Sequence, residues 1–457
     1  MDLAFSSVTE LAAMIAERKI SAVEALDAHL AQVDRHNEAV NAVVILDRDG
    51  ARERARQADA ALARGDTVGP LHGVPFTLKD AHQTAAMRTT AGFPPFADYV
   101  PGSDGPVVGR LKAAGGVLVG KTNVAAMLGD WQSDNLLFGR TSNPWALDRT
   151  AGGSSGGAAA AVAAGMTPFD VGTDMQDSIR LPAAFCGVYG LKPTEHRVSL
   201  AGAFPDPSGT PRSVRLMSCV GPIARNLEDL ALIYKIIAGP DGADTDLAPV
   251  PVDSMPKLEL KSLRIAFAST FPGFPVAAEI GAAVERLAAG LASASACVEE
   301  AGLPKLDLHD DLAEGGKLIG MMLEAAQPEP PAEPTPVSSW FAALARRDRS
   351  ILAWERFFES CDALLCPAAM TTAFAHCKPG SPLEVDSKDE SYWMLPAYGA
   401  IFNYSGHPAL AVPCGQDGNG LPIGLQLVGK RWSEARLLGI AAAIAALTGG
   451  FRRPPGY

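Results

Sequence analysis

The chain has 457 residues, 47% hydrophobic and 20% charged, a balance ordinary for a globular enzyme, and its net charge of −12 argues against a nucleic-acid partner. Met1-Asp2-Leu3-Ala4 lacks the basic start and apolar core of a secretory leader, while the uncharged stretches 151–169 and 396–416 are too rich in small residues or prolines for membrane spans. Seven cysteines without a Cys-x-x-Cys pair or His/Cys ligand spacing predict reduced, buried thiols in a cytoplasmic protein, and no metal site.

In chain order, Ser7 with Glu10 and Ser21 with Glu24 each fit a capping box. Leu11, Met14 and Ile15, then Leu26, Leu30 and Val33, follow at helical spacing. A third helix over roughly 51–63 is charged and superficial. From residue 71 onward, short apolar runs such as Val117-Leu118-Val119 alternate with Ala-rich segments, the pattern of an α/β sheet sandwiched by helices. Residues 239–257 and the proline-rich 327–336 read as irregular connections. We divide the chain into N-terminal helices (1–65), a core (66–240), a variable region (241–350) and a C-terminal part of the same core (351–457), all within one domain, 1–457.

Three polar residues stand out. Lys79 closes the apolar run Val74-Pro75-Phe76-Thr77-Leu78, and Ser154 lies in the turn Gly152-Gly153-Ser154-Ser155-Gly156-Gly157. Ser178 ends Gly172-Thr173-Asp174-Met175-Gln176-Asp177 and precedes Ile179-Arg180. Gly-Lys-Thr-Asn at 120–123, Asn143-Pro144-Trp145, Gly190-Leu191-Lys192-Pro193-Thr194 and Gly221-Pro222-Ile223-Ala224-Arg225 follow in order, with Asn403, Gly406, Pro408, Pro413 and Gly429 downstream. Ordered motifs over residues 5 to 445 resemble the amidase signature family of serine hydrolases.

That resemblance implies a large mixed twisted β-sheet sandwiched by helices, no cofactor, and a small-molecule substrate taken by a monomer or homodimer. It implies a triad in which Lys79 is the base, Ser154, after a cis peptide bond, the relay, and Ser178 the nucleophile. The backbone N–H groups of Met175, Gln176, Asp177 and Ser178 become the oxyanion hole. Asp174 and Arg180 become a brace for that turn, and Gly129, Ser155 and Arg197 line or gate the pocket.

The chemistry sets a condition. A serine hydroxyl needs a base, and none of the eight histidines lies in these motifs. A lysine serves only when neutral, which requires its pKa to fall by about three units, a differential desolvation of about 4 kcal/mol. Read without the resemblance, Lys79 is a surface lysine paired with Asp80, and the Gly-Ser turn is a linker. The helical stretch 158–164 that follows makes the turn a helix N-terminus instead.

Three further matches are accidental. Gly152 to Gly156 fits Gly-x-Ser-x-Gly, but Arg149-Thr150-Ala151 does not read as the strand that a nucleophile elbow requires. Gly115 to Thr122 fits a phosphate loop whose interior is a β-branched run. Ser133-Asp134-Asn135 precedes Ser254-x-x-Lys257, reversing the β-lactamase order.

Within the family, Ala125-Ala126 stands where the amidase subunit of glutamyl-tRNA amidotransferases carries an Asp-Glu pair, which makes the site more apolar. Gln176-Asp177 replaces two glycines and is expected to narrow the space behind the scissile carbonyl. The 195–217 segment, with Arg197, Arg212 and Arg215, is expected to form a mobile lip. The triad positions, the Gln-Asp departure and the short 306–345 region resemble the metagenomic urethanases of the family. They imply hydrolysis of amides, carbamates and esters through an acyl or carbamoyl enzyme. The alternative reading is the amidase subunit of a multi-protein, glutamine-dependent amidotransferase.

Overall fold

A computed structural model describes residues 2–206, 212–327, 329 and 331–457. Both expected capping boxes form: Ser7 starts the helix Val8–Ala16 and Ser21 starts Ala22–Val40, each with reciprocal bonds to the glutamate three residues on. The charged third helix spans Arg48–Arg64 and ends at Gly65, whose φ of 82° suits the left-handed cap.

Eight strands form one mixed sheet in the order Cys297–Glu300, Arg264–Phe267, Ala363–Pro367, Pro422–Val428, Ala409–Gln416, Tyr189–Lys192, Cys219–Ala224, Phe169–Asp174. Pairing is parallel among the first three strands and antiparallel thereafter. Strands from residues 169–224 and from 363–428 thus lie in a single sheet. Side chains alternate between its faces. Leu365, Leu410, Val412, Leu425 and Leu427 pack with the helices Leu227–Ile237, Ala278–Ser293 and Glu434–Thr448. Leu364, Cys366, Ala409 and Val428 face the other way, toward Arg180–Cys186 and Ala397–Tyr404.

A separate three-stranded sheet, for which the sequence carries no distinct signal, runs Val43–Leu46, Val117–Thr122, Pro75–Lys79. Its last two strands are parallel, with Lys79 opposite Thr122. Phe76 stacks on Phe169 at 5.3 Å between ring centroids, which sets this small sheet against the edge of the large one. The run 117–122 is therefore a strand and not a phosphate loop.

One discounted match needs correction. Ala146–Thr150 is a strand after all, paired with Ser142–Asn143 in a two-stranded ribbon. The hydroxyl that follows it, Ser154, is nonetheless engaged by a lysine and not by a histidine.

Residues 239–257 carry no regular element, and Arg110 ties their start down through the carbonyls of Ile237, Ala238 and Gly239. The described part of 327–336 is likewise irregular; residues 328 and 330 lie outside the described residues. All seven cysteines are free, but Cys297 is exposed on the edge strand, contrary to the expectation of uniform burial. No described helix is long and apolar enough to cross a membrane.

Candidate active site

The strand Pro75–Lys79 is buried along its whole length, so its last side chain is delivered into the interior between the two sheets. Lys79 is 0% exposed. Its Nζ lies 2.7 Å from Ser154 Oγ, 2.8 Å from Thr173 Oγ1 and 3.3 Å from the Thr173 carbonyl. Burial pushes the Lys79 ammonium down to about 7, against the opposing pull of Asp174 and Asp170. That meets the condition for a neutral amine near neutral pH. Asp80, the partner in the surface reading, instead accepts from Thr90, through both its backbone N–H and its hydroxyl. It sits beside a second buried lysine, Lys121.

Ser154 is held by the turn that carries it. The Gly153–Ser154 peptide is cis. Gly152 has φ 84°, and a Cβ there would lie 2.8 Å from Pro182 Cα; one on Gly153 would lie 2.7 Å from the Asp130 carbonyl. Ser133 Oγ bonds the Gly152 carbonyl at 3.0 Å and receives the Gly156 amide at 2.8 Å, pinning the turn at both ends. Ser133 belongs to one of the accidental motifs, and nothing in its spacing marks this role; only the fold reveals it.

Ser155 does not line an open pocket. It is fully buried, with Oγ on the Thr173 carbonyl at 3.3 Å and its amide on the Ser178 carbonyl at 3.2 Å, so it ties the two serine turns together. Gly129 is exposed.

Ser178 sits just past the strand Phe169–Asp174 and before the helix Arg180–Cys186. Asp174 organises this loop. Its carboxylate accepts the amides of Asp177 (2.9 Å) and Ile179 (3.1 Å), and pairs with Arg180 at 3.0 Å with both side chains fully buried. Burial alone would raise Asp174, but Arg180 outweighs it and holds the carboxyl down to about 2. Arg180 also reaches the Asn403 and Gln426 side chains, and Asn403 donates to the Asp174 carbonyl at 3.1 Å.

Two expectations about this loop change. The Asp177 amide is already spent on Asp174, so it is not a free oxyanion donor. The amides of Met175, Gln176 and Ser178 donate to no protein acceptor among the described residues. The Asp177 side chain also does not narrow the pocket. At φ 72° it turns inward against Gly399 and lies 3.3 Å from Arg180 Nε.

Ser178 Oγ has no hydrogen-bond partner among the described residues. The Lys79–Ser154 contact is formed, and the next residue, Ser155, bonds its amide to the Ser178 carbonyl. Beside both turns, Trp131 donates its indole N–H to the Gln176 carbonyl at 3.1 Å and packs with Tyr392 and Trp393, each 5.7 Å away between ring centroids. Sequence reasoning misses this aromatic wall, because its residues come from segments more than two hundred positions apart.

Arg197 is not a gate. It is 2% exposed, with Nε 2.6 Å from the Tyr234 hydroxyl and Nη1 2.6 Å from the Val250 carbonyl. It anchors the 239–257 connection. Arg212 pairs with Asp244 and Asp246, and Arg215 with Asp246. Residues 207–211 of the expected lip lie outside the described residues. Among the described residues, no group of three His, Cys, Asp or Glu side chains is disposed to hold a metal.

The Amidase family profile matches residues 24–327 and 330–438. The A subunit of the glutamyl-tRNA(Gln) amidotransferase of Moorella thermoacetica is 36% identical, over all of this chain and 99% of that protein. The corresponding protein of Geobacillus kaustophilus is 32% identical, over the full length of both. Among solved structures, 6-aminohexanoate cyclic dimer hydrolase superposes with a TM-score of 0.82 and 29% identity, covering 100% of this chain and 99% of that one. A bacterial aryl acylamidase of the amidase signature enzymes gives 0.84 and 25%, covering 99% of each chain. The narrower resemblance to urethanases finds no support in these relatives.

Proposed function

The chain belongs to the amidase signature family, and from that premise we propose that it is a hydrolase of carbon–nitrogen bonds that works through an acyl-enzyme on Ser178. The observation that carries this is the buried Lys79 amine 2.7 Å from Ser154 Oγ, across a cis turn that is itself bonded to the Ser178 loop.

In this mechanism neutral Lys79 takes the Ser154 hydroxyl proton while Ser154 takes that of Ser178, and Ser178 Oγ attacks the carbonyl. The free amides of Met175, Gln176 and Ser178 receive the developing oxyanion. The proton then returns through Ser154 to the leaving nitrogen. Water attacks the acyl-enzyme by the same relay. Carbamates and esters enter the same chemistry, since each presents an acyl carbon with a leaving group.

The Trp131–Tyr392–Trp393 wall and the Ala125-Ala126 pair favour apolar, aryl-bearing amides over glutamine. A second reading draws support from the full-length identity to amidotransferase components: one that releases ammonia from glutamine only with partner proteins. Steady-state hydrolysis by the purified single chain separates them. Turnover of an anilide without added protein supports the first reading. Inactivity on anilides with glutaminase activity on addition of amidotransferase partners supports the second.

A further inference from the structure

Asp170 is a buried carboxylate that the mechanism does not use. It lies on the strand Phe169–Asp174, one alternation before Gly172 and two before Asp174, and is 0% exposed. Its Oδ2 accepts the hydroxyls of Thr77 at 2.6 Å and Thr122 at 3.0 Å. Thr77 stands two residues before Lys79 on the same strand, and Thr122 is the residue opposite Lys79 in the ladder. The carboxyl is therefore hung between the two threonines that flank the lysine. Its Oδ1 is buried and has no hydrogen-bond partner among the described residues.

An acid in such a place needs a reason, because burying a half-satisfied carboxylate is costly. We propose that Asp170 is a positioning residue for Lys79, an electrostatic partner acting beside Asp174 whose own charge state shifts the lysine between ammonium and free amine. The inference rests on the reading of Lys79 as the base. Ionised Asp170 favours the ammonium; neutral Asp170 leaves the amine free to accept from Ser154. Burial raises the Asp170 carboxyl to about 7 against the Thr77 and Thr122 hydrogen bonds, and Lys79 is brought down to about 7 from the other side, so both groups change charge over the same interval.

The other charged groups around the pair have hydrogen-bond or ion-pair partners of their own. On the same strand Asp174 is ion-paired with Arg180. On the Val117–Thr122 strand Lys121 donates to Thr89 and the His82 carbonyl and faces Asp80; burial brings its ammonium down to about 8 against the pull of Asp80 and of Asp170 itself. His82 Nε2 lies 3.0 Å from the Val171 carbonyl, and burial holds its imidazole down to about 3. Beyond the next strand Arg225 is bonded to the carbonyls of Val162 and Thr167. The packed helix Gly156–Ala163 contributes no titratable side chain.

The test is the rate of covalent labelling of Ser178 by a fluorophosphonate as a function of pH, in the wild type and in Asp170→Asn. The amide keeps an acceptor for the threonines and removes the charge. The expected result is an acid limb whose midpoint moves to lower pH by about one unit, the size of effect a nearby opposite charge has on a buried group. Thr122→Val, which keeps the carboxyl but withdraws a donor from its anion, should move the midpoint in the same direction and serves should the Asn variant not fold. A rate lowered by one factor at every pH, with the midpoint unmoved, would overturn the proposal and leave Asp170 a structural residue. A wild type that takes no label at Ser178 would overturn the site assignment itself, and this proposal with it.

Discussion

Lys79 Nζ and Ser154 Oγ lie 2.7 Å apart although 75 positions separate them in the chain. The lysine arrives at the end of a strand in the three-stranded sheet, and the serine on a cis turn that packs against the edge of the eight-stranded one. The contact is thus a property of how the two sheets abut.

Lys79→Met should abolish hydrolysis almost as completely as loss of the nucleophile, because the relay acts as a unit. In the wild type, kcat/KM should fall as pH drops through about 7, where Lys79 takes up a proton. The folded value lies below the unfolded value of 10.5, so the unfolded chain binds this proton first. Lys79 therefore makes a destabilising contribution that is full below about 7 and relieved as pH rises toward 10.5. Lys79→Met should lose that pH dependence, and comparison of urea midpoints at pH 7 and pH 10 for both proteins checks the sign.

Arg197→Ala should cost stability and leave specificity alone. Its guanidinium holds Tyr234 and the Val250 carbonyl, so the variant leaves buried partners unsatisfied, a loss of about 1–3 kcal/mol for each such group. The ratio of kcat/KM between a bulky anilide and a small ester should not change. A changed ratio with an unaltered melting temperature would restore the gate.

Removing one side of the buried brace should be severe. Asp174→Ala strands Arg180 without its bidentate partner and frees the Asp177 and Ile179 amides, so we expect a loss of about 3–5 kcal/mol in urea unfolding. A loss below about 1 kcal/mol would mean that Asn403 and Gln426 suffice to hold the arginine.

Asp177→Gly restores the residue type that the family resemblance implies at a position whose φ of 72° favours glycine. Since the carboxylate points toward Arg180 and Gly399 and not into the pocket, the substrate range measured over a panel of acyl sizes should not widen.

Much of this is legible in the chain. Both capping boxes are local signals and form as read. Motifs mark Lys79, Ser154 and Ser178, and proximity within one turn marks the brace between Asp174 and Arg180. The errors concern direction. A sequence shows that Arg197, Asp177 and Ser155 stand near the site but not which way their side chains turn, and all three turn inward. The aromatic wall joins Trp131 to Tyr392 and Trp393, and Asp170 meets Thr77 and Thr122, through long-range packing that no local pattern encodes.

The identity of the acylated residue is the most direct test of the proposed chemistry. Intact-mass and peptide analysis of the chain after brief exposure to a nitrophenyl ester at pH 8 should find a single acyl adduct on Ser178. The adduct should be absent from Ser178→Ala and form slowly in Lys79→Met. An adduct of equal yield in Ser178→Ala, or one mapped to another side chain, would contradict Ser178 as the nucleophile.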